Sequence, residues 1–529
     1  MERITSGTFA RMTRCLQLDD IVYLPYDSLT FEDRRLAGRR LRAQQWFLDL
    51  LPKETATALK DGSPDDVFYS FLVTMLVGFY EDHQLKHRAE PEWVVWLDDN
   101  VSRHIRREAA IAGDLLEPHT IVPAMPLSGI GFIALEDGLT EKTIRTFGLG
   151  RLQRIRQLGF LHDPVIRKGL SGVAGMGQLF AHTRYLHTHD VHVLALLMAR
   201  NNSLAEDDET HLRVAALTHD ALTPAGGDTI KLIAPASLDE ETNYPSIFTM
   251  FPWQGLRDEY HLSEERLSAI VRNEGLLGQL LDLADKIAYV ARDSSMFLGR
   301  LILGGLGLNC ESFQEIRRFI DEHPEVCTLW DCITVDDGRV VIEDGERLAS
   351  FLKLRALLFR NVYYAPEARF LEHLLAKVVV QYLFDKKLIS VRSLLRMGDF
   401  ELEAQIDRLM GEFFCSRTIG LDLRAFAETF DTDAQAQERE QELVRQGALT
   451  LLDRFNVVAK SGANMLVCSG GRVVPFKDAF PQDTQDIEAT LRDTKQYRLY
   501  YLWPADWGPA SGEAMQRIYR HHRQQVLGE

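Results

Sequence analysis

Residues 212–224, LRVAALTHDALTP, are the stretch that decides the fold most directly. Apolar residues recur at helical spacing up to His219 and Asp220, and the helix is predicted to end by Pro224, because the residue before a proline avoids helical conformation. A carboxylate that follows such an apolar run is costly to bury without a partner. The stretch therefore predicts a core helix that presents an imidazole and a carboxylate side by side.

Two other stretches carry side chains of the same kind in helical surroundings. Residues 181–191, AHTRYLHTHDV, place His187 where an apolar helix begins. Residues 280–293, LLDLADKIAYVARD, place Asp285 within a further helix. The separations along the chain are long enough for these helices to return and face the first one.

A single His-Asp pair carries little information, because most such pairs lie on solvated helix faces, and His189-Asp190 is a second pair in this chain. Three such elements in one order are harder to explain in that way. A metal with open positions polarises a phosphoryl oxygen and lowers the pKa of a bound water, which phosphoester hydrolysis requires. Because imidazole and carboxylate together suit a divalent transition metal, Mg²⁺ or Mn²⁺, we predict one such ion with the ligands His187, His219, Asp220 and Asp285.

Composition limits the partners that the chain can have. The 529 residues are 46% hydrophobic and 26% charged, which is typical of a globular protein of several domains. The formal charge of −17 disfavours general binding to nucleic acid or to an anionic membrane. A polyanionic substrate would therefore need a local cluster of Arg and Lys, or a metal, to bind.

The compartment is predicted to be the cytoplasm, with no membrane partner. The first residues lack the apolar segment of a signal peptide, and residues 67–80 are too short to span a bilayer and indicate a buried helix. The six cysteines are scattered without a CxxC pair, which favours reduced thiols over a disulfide framework or a zinc site.

Helical patterns dominate the chain, so the predicted fold class is mainly α. The prediction is a helical N-terminal region over 1–140, a helical core over 141–398 and a smaller α+β C-terminal region over 399–529. Local expectations are helices at 31–60, 64–80 and 99–116, a short strand or loop within 120–135, a hairpin at 332–345, an amphipathic helix at 431–456, and strands within 457–476 and 497–503.

Four ordered motifs resemble one known family. They are residues 151–159, RLQRIRQLG, which resemble its RLRxIKQLG segment; residues 183–188, TRYLHT, which resemble TRFEHS; residues 285–293, DKIAYVARD, which resemble DKxxYxxRD; and Arg355 with Tyr363. Together with the metal ligands they are similar to the HD superfamily, in particular to its dNTP triphosphohydrolase branch, the bacterial dGTPases and the vertebrate SAM-and-HD-domain dNTPase. The resemblance covers roughly residues 148–375, under half of the chain.

This resemblance implies a helical HD core and a reaction that splits a deoxynucleoside triphosphate into deoxynucleoside and triphosphate. It implies one divalent ion (Mg, Mn, Fe, Ni or Zn), with a second ion left open, and a homo-oligomer. Family roles carried over by position place Gln157 and Leu158 at the deoxyribose, with Leu158 and Tyr363 excluding a 2′-hydroxyl. They place Arg184, Lys286 and Arg355 at the phosphates, and Tyr289 and Asp293 in the sugar and phosphate wall.

The residues themselves support part of this assignment. Asp285, Tyr289 and Asp293 follow one another at intervals of four, so they share one helix face. Arg and Lys are suitable phosphate donors in an acidic chain, although each could also be an exposed helix charge.

One segment departs from the family pattern HDxGHxPFxH. Thr223 and Asp228 occupy the positions of its two later histidines, which act in catalysis. The leaving 5′-oxygen still needs a proton donor, and Thr is a poor one. We predict that Asp228 acts with Glu240 or Glu241; a second cation on Asp228, and proton donation by His182 or His189, stay open.

Two other functions remain open at this point. The altered segment after Asp220 also fits an HD phosphohydrolase for another nucleotide or phosphoester. The missing histidines and the unmatched termini also fit a regulatory or defence module that senses a nucleotide. The basic run at 517–523, RIYRHHR, is a weak nucleic-acid candidate, since so short a run is more often a solvated helix end.

Overall fold

The structure, a computed structural model, forms two compact units, Met1–Lys142 and Thr143–Glu529. It describes residues 23–24, 120–122, 125–128, 130, 132–135, 138–158, 182–295, 297, 311–410, 426–454, 461–492, 497–503 and 513–528. The domain boundaries predicted at 140 and 398 stay predictions.

The first unit contains a small antiparallel sheet. Its strands are β1 (Tyr23–Leu24), β2 (Thr120–Val122) and β3 (Phe132–Leu135), in the order β1-β3-β2. Tyr23 pairs with Ile133, and Val122 pairs with the same residue from the other side. Of the strand or loop expected within 120–135, the structure shows strands, β2 and β3. The helices predicted at 31–60, 64–80 and 99–116 lie outside the described residues.

Helices make up most of the rest of the described chain. In chain order they are α1 (Gly138–Thr146), α2 (Arg184–Asn201), α3 (Glu206–Thr218), α4 (Gly227–Lys231), α5 (Pro235–Leu238), α6 (Glu240–Asn243), α7 (Ile247–Met250), α8 (Gln254–Tyr260), α9 (Glu264–Val271), α10 (Gly275–Ser295), α11 (Glu311–Glu322), α12 (Gly345–Leu358), α13 (Pro366–His373), α14 (Gln381–Asp385), α15 (Val391–Leu394), α16 (Asp399–Met410), α17 (Asp433–Gln446), α18 (Phe476–Ala479), α19 (Pro481–Arg492) and α20 (Glu513–Leu527). Short 3-10 or π segments are Pro126–Ser128, Leu149–Arg154, Tyr244–Ser246, Thr328–Cys332, Phe359–Tyr363 and Leu374–Val380.

Three long helices hold the predicted metal ligands together. Helix α2 packs against both α3 and α10, and its centre is buried on all sides, as expected for a helix that is apolar around its whole circumference. Thr183 begins α2 as an N-cap whose hydroxyl accepts from the Leu186 amide at 3.3 Å. Helix α3 ends at Thr218, so His219 and Asp220 lie in the turn that follows it.

A four-stranded sheet connects the core to the C-terminal region. Its strands are β4 (Ile333–Asp336), β5 (Arg339–Ile342), β8 (Leu466–Ser469) and β9 (Arg472–Pro475), in that order across the sheet. Asp337 and Gly338 both have positive φ, as a tight hairpin turn requires, and the predicted hairpin is confirmed. Strands β5 and β8 pair in parallel through Ile342 and Val467.

The second C-terminal sheet consists of β6 (Phe426–Phe430), β7 (Leu449–Arg454) and β10 (Tyr497–Leu502), in the order β6-β10-β7. Its Leu449, Leu451 and Tyr500 belong to the same buried cluster as Leu374 and Leu383 of the core helices. The single helix predicted over 431–456 is wrong at its C-terminal end. Gly447 ends α17 with a φ of 102°, and the chain continues as β7.

The predicted fold class is confirmed, since the described chain is mainly helical with small sheets towards the C-terminus. Within the described ranges, no helix has both the length and the apolar character needed to cross a membrane.

Candidate metal centre and active-site cavity

The four predicted metal ligands meet at one point between α2, α3 and α10. His187 Nε2 lies 2.9 Å from Asp285 Oδ1 and 3.9 Å from Asp220 Oδ2. His219 Nε2 lies 3.7 Å from Asp220 Oδ2 and 4.0 Å from Asp285 Oδ1. Ligand atoms of His187, His219 and Asp285 all lie within 4.8 Å of one another.

These separations agree with ligation of a single ion. Two ligand atoms that each lie about 2.1 Å from a divalent metal are at most about 4.2 Å apart. The four distances measured between imidazole and carboxylate atoms all fall below that limit. Imidazole and carboxylate donors also match the chemistry of divalent transition metals.

His219 is oriented as a metal ligand. Its Nδ1 lies 2.8 Å from the Ala216 carbonyl oxygen, so Nδ1 carries the proton and Nε2 presents its lone pair. Among the described residues, Nε2 has no hydrogen-bond partner although it is buried. A buried polar atom without a partner is costly, and a metal ion at this point would satisfy it. The residues present therefore fit the predicted ion.

Asp220 is oriented by hydrogen bonds from Arg184 and Thr223. The Arg184 Nη1 donates to Asp220 Oδ2 at 2.8 Å, and the Thr223 hydroxyl donates to Asp220 Oδ1 at 3.2 Å. Burial raises the pKa of Asp220, but the charges of Arg184, His219 and His187 outweigh burial and lower it. Asp220 is therefore an anion, as a metal ligand must be.

A second group of charges adjoins the metal ligands, on α4 and α6. Arg184 Nη2 donates to Asp228 Oδ2 at 2.6 Å, and Lys231 Nζ lies 2.6 Å from Asp228 Oδ1. Lys231 also donates to Glu240 Oε1, while Glu240 Oε2 is buried and has no partner among the described residues.

The two carboxylates of this group differ in charge. Burial raises the pKa of Asp228, whereas the neighbouring cations Arg184 and Lys231 lower it. Since 65% of the Asp228 side chain is accessible, the effect of the cations is the larger one and the pKa is lowered. Burial, opposed by Lys231 and reinforced by Asp220 and Asp228, raises the pKa of Glu240 to about 7. Asp228 is thus an anion at neutral pH, whereas Glu240 holds a proton for part of the time.

A cavity of about 1270 Å³ opens onto three of the predicted metal ligands, His219, Asp220 and Asp285. It brings together all of the residues predicted for substrate binding and catalysis, namely Gln157, Leu158, Arg184, Asp228, Glu240, Glu241, Lys286, Tyr289, Asp293, Arg355 and Tyr363. Their roles stay predictions, but their common position on one cavity is a finding.

The α10 face lines this cavity as the spacing predicts, since Asp285, Tyr289 and Asp293 all belong to its wall. Tyr363 follows α12 in a π-helical turn and donates its hydroxyl to Asp293 Oδ2. His182 Nε2 lies 2.8 Å from Asp293 Oδ1, so Asp293 contacts both Tyr363 and His182.

Gln157 and Leu158 reach the cavity because their segment pairs with the start of α2. The Gln157 amide donates to the His182 carbonyl at 3.1 Å, and the Arg184 amide donates to the Ile155 carbonyl at 2.9 Å. Gln157 is buried, and its Oε1 has no hydrogen-bond partner among the described residues. This oxygen is available to a ligand in the cavity.

Two predicted phosphate donors have partners already. Lys286 donates to Asp282 Oδ2 one helical turn away, and the Arg355 Nε donates to the Tyr289 hydroxyl. The Arg355 guanidinium also lies 5.1 Å from the centre of the Phe359 ring, which holds it against the wall. Both cations are therefore oriented along α10 next to Asp285.

Sequence patterns missed part of this cavity. Arg369 and Glu372 of α13, residues 461–466, Lys477 and Glu488 also line it, although no motif marked them. The wall thus includes the C-terminal region, which the sequence assigned no role.

Two minor predictions also have a structural context. Of the alternative proton donors, His182 is paired with Asp293, whereas His189 is buried against the Tyr185 ring at 4.5 Å and is not part of the described cavity wall. In the basic run of α20, His522 is buried against the Thr450 carbonyl at 2.7 Å and His521 pairs with Asp385. Neither histidine is free to contact nucleic acid in this arrangement.

Comparison with known proteins gives structural similarity only. No protein family matches the chain, and no curated protein sequence matches it. A hypothetical protein from Aquifex aeolicus has a similar structure, with a TM-score of 0.50 and 16% identity, over 74% of this chain and 99% of that chain. A phosphohydrolase from Bacteroides thetaiotaomicron gives a TM-score of 0.49 and 15% identity, over 73% of this chain and 99% of that chain. The similarity to the Aquifex protein shows that the two chains share a fold.

Proposed function

We propose that this protein is a metal-dependent phosphohydrolase that converts a deoxynucleoside triphosphate into deoxynucleoside and inorganic triphosphate. The observation that carries the proposal is the set of buried polar atoms without partners that face one cavity: His219 Nε2, Gln157 Oε1, Arg184 Nε and Glu240 Oε2. Folding leaves such atoms unsatisfied only at a cost, so a polar ligand is the simplest occupant of this cavity.

The charges around the cavity favour a phosphorylated ligand. Arg184, Lys286 and Arg355 lie on its wall in a chain whose overall charge is negative. A divalent ion held by the two histidines and two aspartates would neutralise phosphoryl charge and activate water for attack at phosphorus. A triphosphate carries enough negative charge to need both the cations and the ion.

The nucleoside end is proposed to lie at Gln157, Leu158, Asp293 and Tyr363. The Gln157 Oε1 can accept a hydrogen bond from the sugar 3′-hydroxyl. Leu158 and Tyr363 would leave no room for a 2′-hydroxyl, which selects deoxyribose over ribose. Tyr363 is fixed by its bond to Asp293, so this part of the wall cannot easily rearrange.

Glu240 is the proposed proton donor to the leaving 5′-oxygen. Water attacks the α-phosphorus and releases a proton to solvent, the bond from that phosphorus to the 5′-oxygen breaks, and the 5′-oxygen takes the Glu240 proton to become a hydroxyl. Glu240 then regains a proton from solvent. Glu240 can hold this proton near neutral pH and has an Oε2 without a partner among the described residues, whereas Asp228 is an anion held by two cations. Asp228 is proposed to orient Arg184 and Lys231, and Glu241 to lie on the same wall without proton transfer.

The experiment is product analysis with the common deoxynucleoside triphosphates and Mg²⁺ or Mn²⁺, by ion-pair chromatography. Deoxynucleoside and triphosphate in equal amounts are expected. His219→Ala is expected to form neither, whereas His323→Ala, which removes an exposed histidine of the same unit, keeps activity. Release of orthophosphate would indicate another phosphoester reaction, and nucleotide binding without turnover would indicate a sensing function.

A further inference from the structure

A buried charged cluster joins the C-terminal sheet to the wall of the cavity. Asp453, on β7, is fully buried and accepts two hydrogen bonds from Arg369 of α13, from Nε at 2.9 Å and from Nη2 at 2.7 Å. His373 Nε2 lies 2.9 Å from Asp453 Oδ1. A planar guanidinium held through two nitrogens by one carboxylate is fixed in position and orientation.

The cluster continues from Arg369 towards the candidate site. Arg369 Nη1 donates to Glu372 Oε2 at 2.9 Å, and the Thr229 hydroxyl donates to Glu372 Oε1 at 2.7 Å. Thr229 is the middle residue of the short helix α4, directly after Asp228 and two residues before Lys231. The hydrogen bonds from Asp453 therefore end on the helix that carries the charges next to the metal ligands.

The last step connects α4 to the metal centre itself. Asp228 accepts from Arg184 Nη2 at 2.6 Å, and Arg184 Nη1 donates to the ligand Asp220 at 2.8 Å. Counted from the C-terminal sheet, the path is Asp453, Arg369, Glu372, Thr229, Asp228, Arg184 and Asp220. Each link is a hydrogen bond between side chains, except for the peptide bond between Asp228 and Thr229.

Joining two parts of a fold through buried charges is energetically unfavourable compared with apolar packing. Burying charges carries a large desolvation cost, and well-packed apolar side chains often stabilise a protein as much or more. Hydrogen bonds of fixed direction, however, determine position more strictly than apolar contacts do. Arg369 and Glu372 also belong to the cavity wall, which places the cluster where such precision matters.

We infer that Asp453, a residue of the C-terminal region remote from the metal ligands, is a positioning residue for the candidate site, acting through Arg369, Glu372 and Thr229 on helix α4. The C-terminal sheet is then part of the machinery that sets the Arg184, Asp228 and Asp220 arrangement. The inference uses the proposed function only for its turnover measurement; its metal-affinity measurement does not depend on the substrate.

The test compares Asp453→Asn, Thr229→Val and the double variant with wild type. Asparagine keeps the size of Asp453 but loses the charge that fixes Arg369, and valine keeps the shape of Thr229 but loses its hydroxyl. Mn²⁺ affinity, measured by electron paramagnetic resonance, is expected to fall about threefold to tenfold in each, somewhat less than for groups that bond directly to metal ligands. kcat for the triphosphate is expected to fall by a similar factor with KM nearly unchanged.

The controls separate positioning from general destabilisation. Thr229→Ser keeps the hydroxyl and is expected to restore wild-type values. Glu428→Gln breaks a similar Arg–carboxylate pair, with Arg439, on the same sheet but away from the cavity, and is expected to change neither affinity nor kcat. Both substitutions act through the same path. The double variant is therefore expected to lose no more Mn²⁺ affinity and kcat than the single variant with the larger loss.

The inference is overturned if Asp453→Asn and Thr229→Val lower the melting temperature but bind Mn²⁺ as wild type does. Since the two variants test opposite ends of the path, poor folding of one leaves the other as the test. If wild type binds Mn²⁺ but hydrolyses no nucleotide, the proposed function fails, and the Mn²⁺ affinities still decide the inference.

Discussion

Two arginines of this protein, the buried Arg184 and the largely buried Arg369, occupy similar surroundings and differ in one respect. Arg184 lies between Asp220 and Asp228, and Arg369 lies between Asp453 and Glu372. All three guanidinium nitrogens of Arg369 donate to protein atoms, whereas Arg184 Nε has no partner among the described residues.

The carboxylates that contact each guanidinium are satisfied in both groups, since the oxygens of Asp220 and Asp228 also have partners. Both oxygens of Asp453 and both oxygens of Glu372 accept hydrogen bonds from the protein. Near Arg184, Glu240 Oε2 and His219 Nε2 are buried without partners. Around Arg369 the guanidinium and both carboxylates are satisfied, and of this cluster's atoms only His373 Nδ1 is buried without a partner among the described residues. This complete set of guanidinium–carboxylate bonds is a structural element, whereas the atoms left without partners near Arg184 are a place for a ligand.

The largest effect is expected from removing a metal ligand. His219→Ala takes away the imidazole whose Nε2 lacks a partner, and hydrolysis is expected to fall at least about 1000-fold, because the ion supplies most of the charge stabilisation. Steady-state kinetics on variant and wild type checks this. Activity within tenfold of wild type would mean that the incomplete cluster is not the active centre.

Arg369→Met tests the complete cluster. It leaves Asp453 and Glu372 buried without their cation, so the free energy of unfolding is expected to fall by about 3 to 5 kcal/mol. Chemical denaturation measures this. Compared with Arg369→Met, Arg184→Met is expected to lower the free energy of unfolding less and the hydrolytic activity more. An equal loss of stability in the two variants would contradict the distinction between a structural cluster and a ligand site.

Glu240→Gln tests the proton donor. The amide keeps the size of the carboxyl but cannot give up a proton, so kcat is expected to fall about 100-fold with little change in KM. Burial raises the pKa of Glu240 to about 7, the charge of Lys231 opposes this shift, and the charges of Asp220 and Asp228 add to it. Wild-type activity is therefore expected to decline above about pH 7, because Glu240 then loses the proton that it donates.

Glu241→Gln serves as the matched control for Glu240, since Glu241 lines the same cavity next to it. Its activity and pH profile are expected to resemble wild type. If Glu240→Gln keeps wild-type activity and its decline above neutral pH, the proton comes from another group.

The smallest effect concerns stability at acid pH. Burial, together with the charges of His521 and Lys377 and against the bond to the Thr450 carbonyl, lowers the pKa of His522 to about 4. The unfolded chain takes up this proton near its ordinary pKa and the folded chain only near 4. The free energy of unfolding therefore falls as pH decreases through this window, by about 2 kcal/mol between pH 6.5 and 5.

His522→Gln is expected to reduce this slope while keeping a donor for the Thr450 carbonyl. The remaining slope belongs to His189 and His373, because burial also lowers their pKa values to about 4. Denaturation of wild type and variant at several pH values gives the difference directly. An identical slope in both proteins would show that His522 does not titrate in this way.

The sequence could predict the incomplete cluster better than the complete one. His187, His219, Asp220 and Asp285 each follow or interrupt an apolar helical run, and that pattern is visible without a structure. The i, i+4 spacing likewise predicted that Asp285, Tyr289 and Asp293 share a face of α10. These features depend on local periodicity.

The complete cluster has no such local signal. Arg369 and Asp453 are 84 residues apart, and each belongs to a segment in which a charged residue is unremarkable. The same is true of residues 461–466, which reach the cavity only because β8 pairs with β5. The state of Asp228 also needed the structure, because its anionic form follows from Arg184 and Lys231 rather than from its own position in the chain.

The most direct test of the central claim is the metal content of the purified protein. After loading with Mn²⁺ and gel filtration, elemental analysis of wild type is expected to give one bound ion per chain, and His219→Ala is expected to give none. One ion that survives in His219→Ala, or no bound ion in wild type, would contradict a metal centre formed by His187, His219, Asp220 and Asp285.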